Sequence, residues 1–460
     1  MITYSIIQKS QLEYSHRQDA EYYQQEYLEV EKKMNSLNTK RISDISQSVV
    51  SFGAYSLCNY IVWQEYGVPY INVQNIKEGY IDFEDVKFIS DEVNEILRKS
   101  KVKEGQVIIT MAGTIGNVAV AHNVPPKLNS NQATAKITLK KDFSPYYLAA
   151  FLNSYYGKKQ IDREIVSSVQ PNIFLWQIRN FKVPILPKNK QKEIEKIHIQ
   201  GLEELDRSKS LYSQAENLLL EELGLKDFQI EDDLSYFVNF SDIKSAHRAD
   251  AEYFQPKYEK IEKILSKFKQ NNLNDLSSLI SYGTVPTSPY VKQNGLPYVK
   301  GENLQNCFID YSKLVYLDKD SINDLPKKFY LEKDDIVISQ MGTVGRAGIV
   351  TKQEEGWLFA SFTIRVRLKE ESKSILDPLF VTFYIQNISR PYYLLRRIAQ
   401  ASVRQNTDLP TIRDLKIPIL PKEVQQRIAE FIKQSHEARK KAKKLLEEAK
   451  KKVEEEIEKC

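Results

Sequence analysis

The side chains that most often bind metals or act as nucleophiles are few and widely spaced in this sequence. The histidines form no pair four positions apart and no HExxH motif, and the cysteines show no paired spacing. These residues are His16, His122, His198, His247, His436, Cys58, Cys307 and Cys460. His16 and His247 each stand beside an arginine, with an aspartate close by, where capping or core roles are expected. The sequence therefore predicts neither a resident metal nor a cofactor.

One acidic segment offers a nuclease-like pattern. Asp82, Asp85 and Lys87 have a loosely acidic-then-lysine arrangement, but such short matches are common by chance, and Asp310 in the second half has no lysine to match. The sequence has no GxSxG motif, no P-loop and no Asn/Asp-Pro-Pro-aromatic motif of amino-methyltransferases. We therefore expect no catalytic activity. A stand-alone DNA-cleaving enzyme with a hidden site is the alternative from a different class.

The elements that would position any site occur twice in the chain. HRQDAEYYQQEYLEVEKKM from His16 returns as HRADAEYFQPKYEKIEKIL from His247, 231 residues later. GVPYINVQNIKEGYID from Gly67 matches GLPYVKGENLQNCFID from Gly295, and VIITMAGTIGNVAV matches IVISQMGTVGRAGI. SSVQPN and ASVRQN also correspond. Because the offset stays nearly constant, the sequence predicts a tandem duplication.

Each half is expected to be a mixed α/β globule followed by a helix. Short β-branched runs at Gln106–Thr110 and Asp335–Ser339, both followed by glycines, indicate strands. The GTIG and GTVG tetrapeptides suit tight turns, in which glycine supplies a positive φ without penalty. The functional alternative is a loop that binds phosphate. Both tetrapeptides lack the Gly-Lys-Ser/Thr ending of a P-loop and the full glycine spacing of a dinucleotide-binding motif.

An extended junction precedes a long helix in each half. KVPILPK at Lys182–Lys188 and KIPILPK at Lys416–Lys422 each contain two prolines. Proline lacks an N–H and disfavours helix at the residue before it, so each helix is predicted to begin directly after its second proline. Gly224 is placed to end the first helix.

Apolar and small residues step by three and four along both helices, close to the 3.5-residue repeat of a coiled coil. The two seams are Ile194, Ile197, Gly201, Leu205, Ser208, Leu211, Ala215 and Leu219, and Ile428, Phe431, Ile432, Ser435, Ala438, Ala442, Leu445, Ala449 and Val453. Since most residues beside them are charged or polar, we expect an antiparallel helix pair, on the order of 50 Å long. The pairing could occur within or between chains, and a helix lying on its own globule is the alternative.

Length and charge fit a multidomain protein that could bind a polyanion. The chain has 460 residues, more than a single core usually serves, a net charge of +5 and a pI near 8.6. Its amino terminus lacks the order of a secretory signal, and its apolar runs are too short to span a bilayer. We expect a cytoplasmic protein.

Taken together and in order, these motifs resemble the specificity (S) subunit of type I restriction–modification systems. The resemblance rests on the RxDAEY starts at Arg17 and Arg248, the PYINVQNI and PYVKGENL strands, and the GTIG and GTVG turns. It also rests on the SVQPN and SVRQN segments and on the VPILP and IPILP junctions before Gln-led helices. The resemblance covers both halves of the chain.

The resemblance implies two target-recognition domains separated by two long helices packed as an antiparallel coiled coil, an α+β fold. The domains would be residues 1–187 and 226–421, and the spacer helices would be residues 188–225 and 422–460. Such a subunit is not catalytic. It reads a bipartite, asymmetric site in double-stranded DNA and docks two methyltransferase (M) subunits and restriction (R) subunits, without a membrane. S-adenosylmethionine, ATP and Mg²⁺ are expected on those partners. The alternative is an interaction scaffold that binds only proteins.

Candidate DNA-binding residues are the polar positions beside the repeated turns and strands. The two halves keep turns, prolines and seams but exchange most polar residues, which suits two readers of different sequences. The candidates are Asn72, Gln74, Asn75, Asn117, Gln170, Asn172, Lys300, Glu302, Asn303, Arg346, Arg404 and Asn406. For each of them, a hydrogen bond that stabilises a loop is the alternative.

Overall fold

The computed structural model divides the chain into two units, each built around one globule of the duplicated sequence. The first unit comprises Met1–Asp206 and Arg439–Cys460, and the second comprises Arg207–Ala438. The residues that the structure describes are 4–10, 12, 17–53, 55–165, 171–228, 235–286, 288–292, 294–320, 322, 325–398 and 406–460. Within them, no helix is both long enough and apolar enough to cross a membrane.

The first unit contains nine described strands and a set of mostly short helices. The strands are β1 Thr39–Arg41, β2 Ser46–Val50, β3 Val68–Ile71, β4 Lys87–Ile89, β5 Val107–Thr110, β6 Val118–Val120, β7 Asn129–Ser130, β8 Thr134–Leu139 and β9 Lys182–Pro184. The α-helices are Gln25–Ser36, Ile42–Ile45, Asp91–Ile96, Pro145–Asn153, Tyr155–Glu164 and Leu175–Asn180, and 3₁₀ turns cover Ala20–Tyr23, Tyr55–Tyr60 and Val73–Asn75. The first long helix, Lys188–Glu222, follows them.

A four-stranded antiparallel sheet with the order β2-β8-β5-β6 forms the centre of the first unit. A second sheet has the order β4-β3-β7, and β1 pairs with β9. In β5, Val107 and Ile109 face one apolar cluster, whereas Ile108 faces another. This period of two places apolar side chains on both faces of a buried strand, which explains the uninterrupted apolar run Val107–Ile109.

The second unit contains twelve described strands. They are β10 Gln270–Asn272, β11 Ser277–Tyr282, β12 Tyr290–Val291, β13 Leu296–Val299, β14 Leu304–Gln305, β15 Phe308–Ile309, β16 Val315–Leu317, β17 Ile336–Ser339, β18 Ala347–Ile349, β19 Leu358–Phe359, β20 Thr363–Leu368 and β21 Lys416–Pro418. Its helices are Phe240–Ala246, Pro256–Leu265, Leu273–Leu276, Glu370–Ile375, Pro378–Tyr384, a π-helical Ile385–Leu394, Leu395–Arg397 and Leu409–Arg413, with 3₁₀ turns at Gly301–Asn303, Tyr311–Lys313 and Lys327–Phe329. The second long helix is Lys422–Lys459.

The strand order of the second unit repeats that of the first, as the duplication predicts. The sheet β11-β20-β17-β18 corresponds to β2-β8-β5-β6, and the pair β10-β21 corresponds to β1-β9. The sheet β12-β16-β13-β19 takes the place of β4-β3-β7 with one added strand. Ile336 and Ile338 face one apolar cluster and Val337 faces another, the pattern seen in β5.

Both long helices begin where the junctions predict. They start at Lys188 and Lys422, directly after the second proline of each junction, and have 35 and 38 residues. Gly224 ends the first helix with a φ of 68°. The Gly224 N–H donates to Glu221 and the Leu225 N–H to Leu220, the two bonds of a Schellman motif. The predicted bounds of the domains as such stay a prediction.

In the first unit, the beginning of the first long helix packs against the end of the second. Ile194 shares an apolar cluster with Ala449 and Val453. A Cβ on Gly201 would lie 3.0 Å from Leu446 Cγ, so glycine there makes room for a leucine from the facing helix. The predicted seam contains Leu445, but Leu445 is half-buried. Leu446 is the buried leucine of this turn and takes its place in the seam.

Ion pairs along the same contact show the direction of the helices. Lys452 binds Glu193 at 2.9 Å and Lys441 binds Glu204 at 2.6 Å. One residue number rises as the other falls, as an antiparallel pair requires.

The second unit contains the other half of the helix pair. The Ser435 hydroxyl donates to the Ser208 carbonyl oxygen at 2.8 Å, and the two hydroxyls lie 3.1 Å apart. Leu219 and Ile432 belong to one apolar cluster that also contains β17 and β20 residues. The helices therefore pair within the chain and also complete the core of each globule. The predicted helix pair and the alternative of a helix lying on a globule both hold in part.

Candidate nucleic-acid interface

The repeated glycine tetrapeptides form the same tight turn in both units. Gly113 and Gly116 have φ values of 73° and 79°, and Gly342 and Gly345 have values of 73° and 78°. The Thr110 hydroxyl ties the first turn, because it donates to the Thr114 carbonyl at 2.6 Å and accepts the Asn117 N–H at 2.9 Å. The predicted tight turn is therefore confirmed.

Ser339 ties the second turn in the same way. Its hydroxyl donates to the Thr343 carbonyl and accepts the Arg346 N–H at 3.1 Å. A hydroxyl residue at the end of the strand is thus part of the repeated turn.

Three predicted segments meet at this turn in the first unit. A Cβ on Gly113 would lie 3.7 Å from Val73 Cγ1, which places the 3₁₀ turn after β3 beside the glycine turn after β5. Ala112 forms an antiparallel bridge with Asn172, and the Ile173 N–H donates to the Met111 carbonyl at 3.0 Å. The described polar candidates of the first half therefore gather at one end of the four-stranded sheet.

The second unit assembles the equivalent surface. A Cβ on Gly301 would lie 3.2 Å from Ser339 Cβ, and Met341 forms an antiparallel bridge with Asn406. We call these surfaces the turn faces. The first turn face comprises residues 72–75, 112–117 and 172, and the second comprises residues 300–303, 341–346 and 406.

Two of the candidates are buried and hold their loops together. Asn75 and Asn303 are each 1% exposed. The Asn75 amide donates to the carbonyl oxygens of Asp82 and Glu84 at 2.9 and 3.1 Å, and its Oδ1 accepts the Asn72 N–H at 2.8 Å. Asn303 donates to the Asp310 carbonyl at 3.1 Å and accepts the Lys300 N–H at 2.9 Å. Loop stabilisation describes both, and DNA contact by either stays a prediction.

The other described candidates are accessible to different degrees. Gln74, Glu302 and Asn406 are exposed, whereas Asn72, Asn117, Asn172, Lys300 and Arg346 are half-buried. The Asn117 amide donates to the Ile76 carbonyl at 3.0 Å, and Lys300 Nζ lies 4.9 Å from the centre of the Tyr290 ring. Gln170 and Arg404 lie outside the described residues, so their predicted role stays a prediction.

The RxDAEY motif forms an ion pair that is stacked on a tyrosine ring. Arg17 binds Asp19 at 2.5 and 2.6 Å, and its guanidinium carbon lies 4.8 Å from the centre of the Tyr22 ring. The hydrogen bond from Arg17 lowers the pKa of the Asp19 carboxyl. Arg248 and Asp250 repeat the ion pair in the second unit.

Sequence reasoning missed a buried lysine in the first globule. Lys136 in β8 is fully buried, its Nζ donates to Ser130 Oγ at 3.1 Å, and burial lowers its pKa to about 7. The equivalent Arg365 faces Asp335 at 3.7 Å, but the first unit has Gln106 in place of that aspartate. The sequence of β8 does not predict that Lys136 is buried, because a charged residue in a strand is usually expected on the solvent face.

The nuclease-like segment does not form a metal site in the described part of the chain. The Asp82 carboxylate accepts the Glu84 N–H at 3.2 Å, and Asp85 has a φ of 55°, so both residues shape a turn. No group of three His, Cys, Asp or Glu side chains among the described residues is arranged to hold a metal ion.

Comparison with known proteins gives the family. The model described as "Type I restriction modification DNA specificity domain" matches residues 34–220 and 265–451, and the two matches are offset by 231 residues, as the repeats are. Together they span most of the sequence. The chain therefore belongs to the type I restriction–modification DNA specificity family and carries two copies of its domain.

Individual known proteins are also similar to this chain. A protein of Methanocaldococcus jannaschii described as a type I restriction enzyme MjaX specificity subunit is 24% identical over 403 residues, which cover 84% of this chain and 85% of that protein. The EcoBI specificity subunit of Escherichia coli is 24% identical over 28% of this chain and 27% of its own length. The crystal structure of an S subunit from M. genitalium aligns over 92% of this chain and 96% of its own, with 14% identity and a TM-score of 0.43.

With two such domains, the chain is a specificity subunit of a type I restriction–modification system. Its role is to recognise the DNA sequence. The catalytic activities of such a system lie on other subunits, so the chain itself is not the enzyme.

Proposed function

We propose that the two turn faces read the two halves of a bipartite, asymmetric site in double-stranded DNA. The observation that carries this proposal is that both units build the same three-segment surface and place different polar side chains on it. Asn117 stands where the second unit has Arg346, and Gln74 stands where it has Glu302. Amide, carboxylate and guanidinium groups recognise different base edges in a groove. One scaffold would thus read two unlike sequences.

The same proposal includes the partners. Two methyltransferase subunits, which bind S-adenosylmethionine, and restriction subunits, which use ATP and Mg²⁺, would assemble on the chain in the cytoplasm. The support is the charged surface of the long helices outside the seams, which the pairing of the helices leaves exposed. Lys440, Lys443, Lys444, Glu447 and Glu448 are exposed in this way.

Arg346→Ala tests the assignment of the turn faces. In the assembled system, we expect one block of the methylated motif to lose its preference at one base pair by about tenfold, because a single side-chain contact to a base is worth about 1–3 kcal/mol. The other block should not change. Maps of adenine methylation in cells with the wild-type chain, the variant or no chain give this result.

Asn117→Ala is the matched control, and it should alter only the other block. A change in both blocks with either variant would contradict the separation of the two readers. A methylation map that does not change when the gene is removed would contradict the role of the chain in modification. An assembled complex that prefers no duplex sequence would favour the protein-only scaffold.

A further inference from the structure

The first unit has a second polar surface at the end of its sheet opposite the turn face. β5 runs from Val107 toward the glycine turn, and β8 is antiparallel to it, so the residues after Leu139 lie beside those before Val107. Between these segments is an open cleft with a volume of about 710 Å³. We call it the basic cleft.

Six basic residues and one acidic residue line the basic cleft. The basic residues are Arg98, Lys99, Lys101, Lys103, Lys140 and Lys141. The carboxylate of Glu104 accepts the backbone N–H groups of Asn123 and Val124, both at 3.1 Å. The negative charge in the lining therefore lies against the backbone of a neighbouring loop.

Few of these basic side chains have an acidic partner. Lys101 binds Glu95 at 2.6 Å, and Lys140 donates to a carbonyl oxygen, that of Asp44, at 2.6 Å. For the other four, no carboxylate lies within ion-pair distance in the part of the chain that the structure describes. Like charges brought together in this way repel one another, so the cluster does not stabilise the fold. A bound anion would relieve this repulsion.

The second unit has the same segments without this excess of charge. Residues 98–106 and 138–141 include six basic residues and one acidic residue, whereas residues 327–335 and 367–370 include five basic and four acidic residues. Arg367 there binds Glu332 at 2.5 Å and Asp335 at 2.7 Å. One scaffold is thus neutralised internally in one copy and left basic in the other, so the charge is not a requirement of the fold.

We propose that the basic cleft binds the phosphate backbone of a DNA duplex that runs along the sheet, outside the bases that the first turn face reads. This rests on the proposed function and extends it. Lysine and arginine side chains are the usual contacts to the phosphate backbone of DNA. The core of a protein–protein interface is depleted in charged residues, whereas six of the residues that line this cleft are cationic. Since the second unit has no equivalent, the contact with flanking DNA is one-sided.

A charge-neutralising variant tests the basic cleft in the assembled complex. Arg98→Gln, Lys99→Gln and Lys140→Gln together remove three cations, and Lys327→Gln, Lys328→Gln and Lys369→Gln remove those at the equivalent positions of the second unit. The measurements are the salt dependence of duplex binding and a hydroxyl-radical footprint on the methylated motif.

We expect the first variant to lower the slope of log affinity against log salt by about 2–3, because each phosphate contact contributes about 0.9. Affinity at low salt should fall by at least about tenfold. Protection should disappear beyond the half-site of the first unit while the sequence preference stays the same. The matched variant should leave that flank and its protection unchanged.

A salt slope and a footprint equal to those of the wild type would overturn the proposal. Loss of subunit assembly with an unchanged salt slope would also overturn it and would assign the cleft to a protein. The slope can be measured on any duplex, whereas sequence preference tests the proposed function, so the two can fail separately.

Discussion

Individual side chains show that burial, and not residue type alone, decides what a polar group does in this protein. Asn75 and Asn303 are equivalent in the repeat and both close their own loops. Lys136 and Arg365 are also equivalent, but the arginine has a buried aspartate beside it and the lysine has a serine hydroxyl. The two copies therefore meet the same desolvation cost in different ways, which makes Lys136 a weak point of the first globule.

The pH dependence of stability follows from the low pKa of Lys136, about 7. The unfolded chain keeps this proton up to about pH 10.4, the usual pKa of lysine. Between these values the unfolded state binds more protons, so the free energy of unfolding increases with pH in this window. Below pH 7 both states are protonated, and the native state bears the full cost of burying the charge.

Lys136→Met should therefore stabilise the first unit at pH 6.5, by about 1–4 kcal/mol. It should also flatten the increase of stability between pH 7 and 10. Urea denaturation at a series of pH values measures both effects. Lys32→Met, at an exposed position, is the control and should change neither. A variant less stable than the wild type at pH 6.5 would show that the charge of Lys136 is compensated in the native state.

At the scale of elements, the long helices depend on small residues at their contact. Gly201 faces Leu446, and the serines at 208 and 435 form hydrogen bonds across the contact. Glycine costs about 1 kcal/mol relative to alanine within a helix. Its presence at the seam is explained by the space that Leu446 occupies, because any larger side chain would meet that leucine.

Gly201→Leu should destabilise the helix contact by about 1–3 kcal/mol, the usual cost of overpacking. Leu446→Ala in the same chain should recover part of that loss, since the added leucine fills the space that the alanine leaves. Thermal or urea denaturation of both single variants and the double variant gives the coupling energy. Strictly additive effects would mean that the two residues do not share one site.

At the scale of the whole molecule, the antiparallel pairing determines how the spacer can be changed. Residues 206 and 439 face each other in the register that the Lys452–Glu193 and Lys441–Glu204 ion pairs define, and the two units divide there. An insertion at both positions keeps the facing residues in register. An insertion after Ala215 and Ala449, suggested by equivalence in the repeat, would not, because those residues face different parts of the partner helix.

Seven residues inserted after both Asp206 and Ala438 should widen the gap between the two blocks of the motif by about three base pairs. Two helical turns add about 10 Å, and each base pair spans about 3.4 Å. The methylation map of cells with this variant gives the new gap. The same insertion in one helix alone moves the facing residues two helical turns out of register and should abolish modification. An unchanged gap with the double insertion would contradict the spacer role of the helices.

The sequence by itself determined the duplication, the strands at residues 107–110 and 336–339, the glycine turns, the starts of both long helices and most of their seam. These features follow from local periodicity and backbone restrictions, which each segment carries within its own residues. It also provided the family, through motifs in a fixed order. The predicted contacts with DNA remained predictions, because base contact depends on exposure and direction.

Only the tertiary structure decided which polar residues are accessible and which charges come together. Asn75 is buried and Gln74 beside it is exposed, although both belong to one short motif. The cations at residues 98–103 and 140–141 are far apart in the chain and converge because β8 runs antiparallel to β5. Strand pairing brings distant segments together through long-range contacts, and a pattern read along one segment does not contain that information.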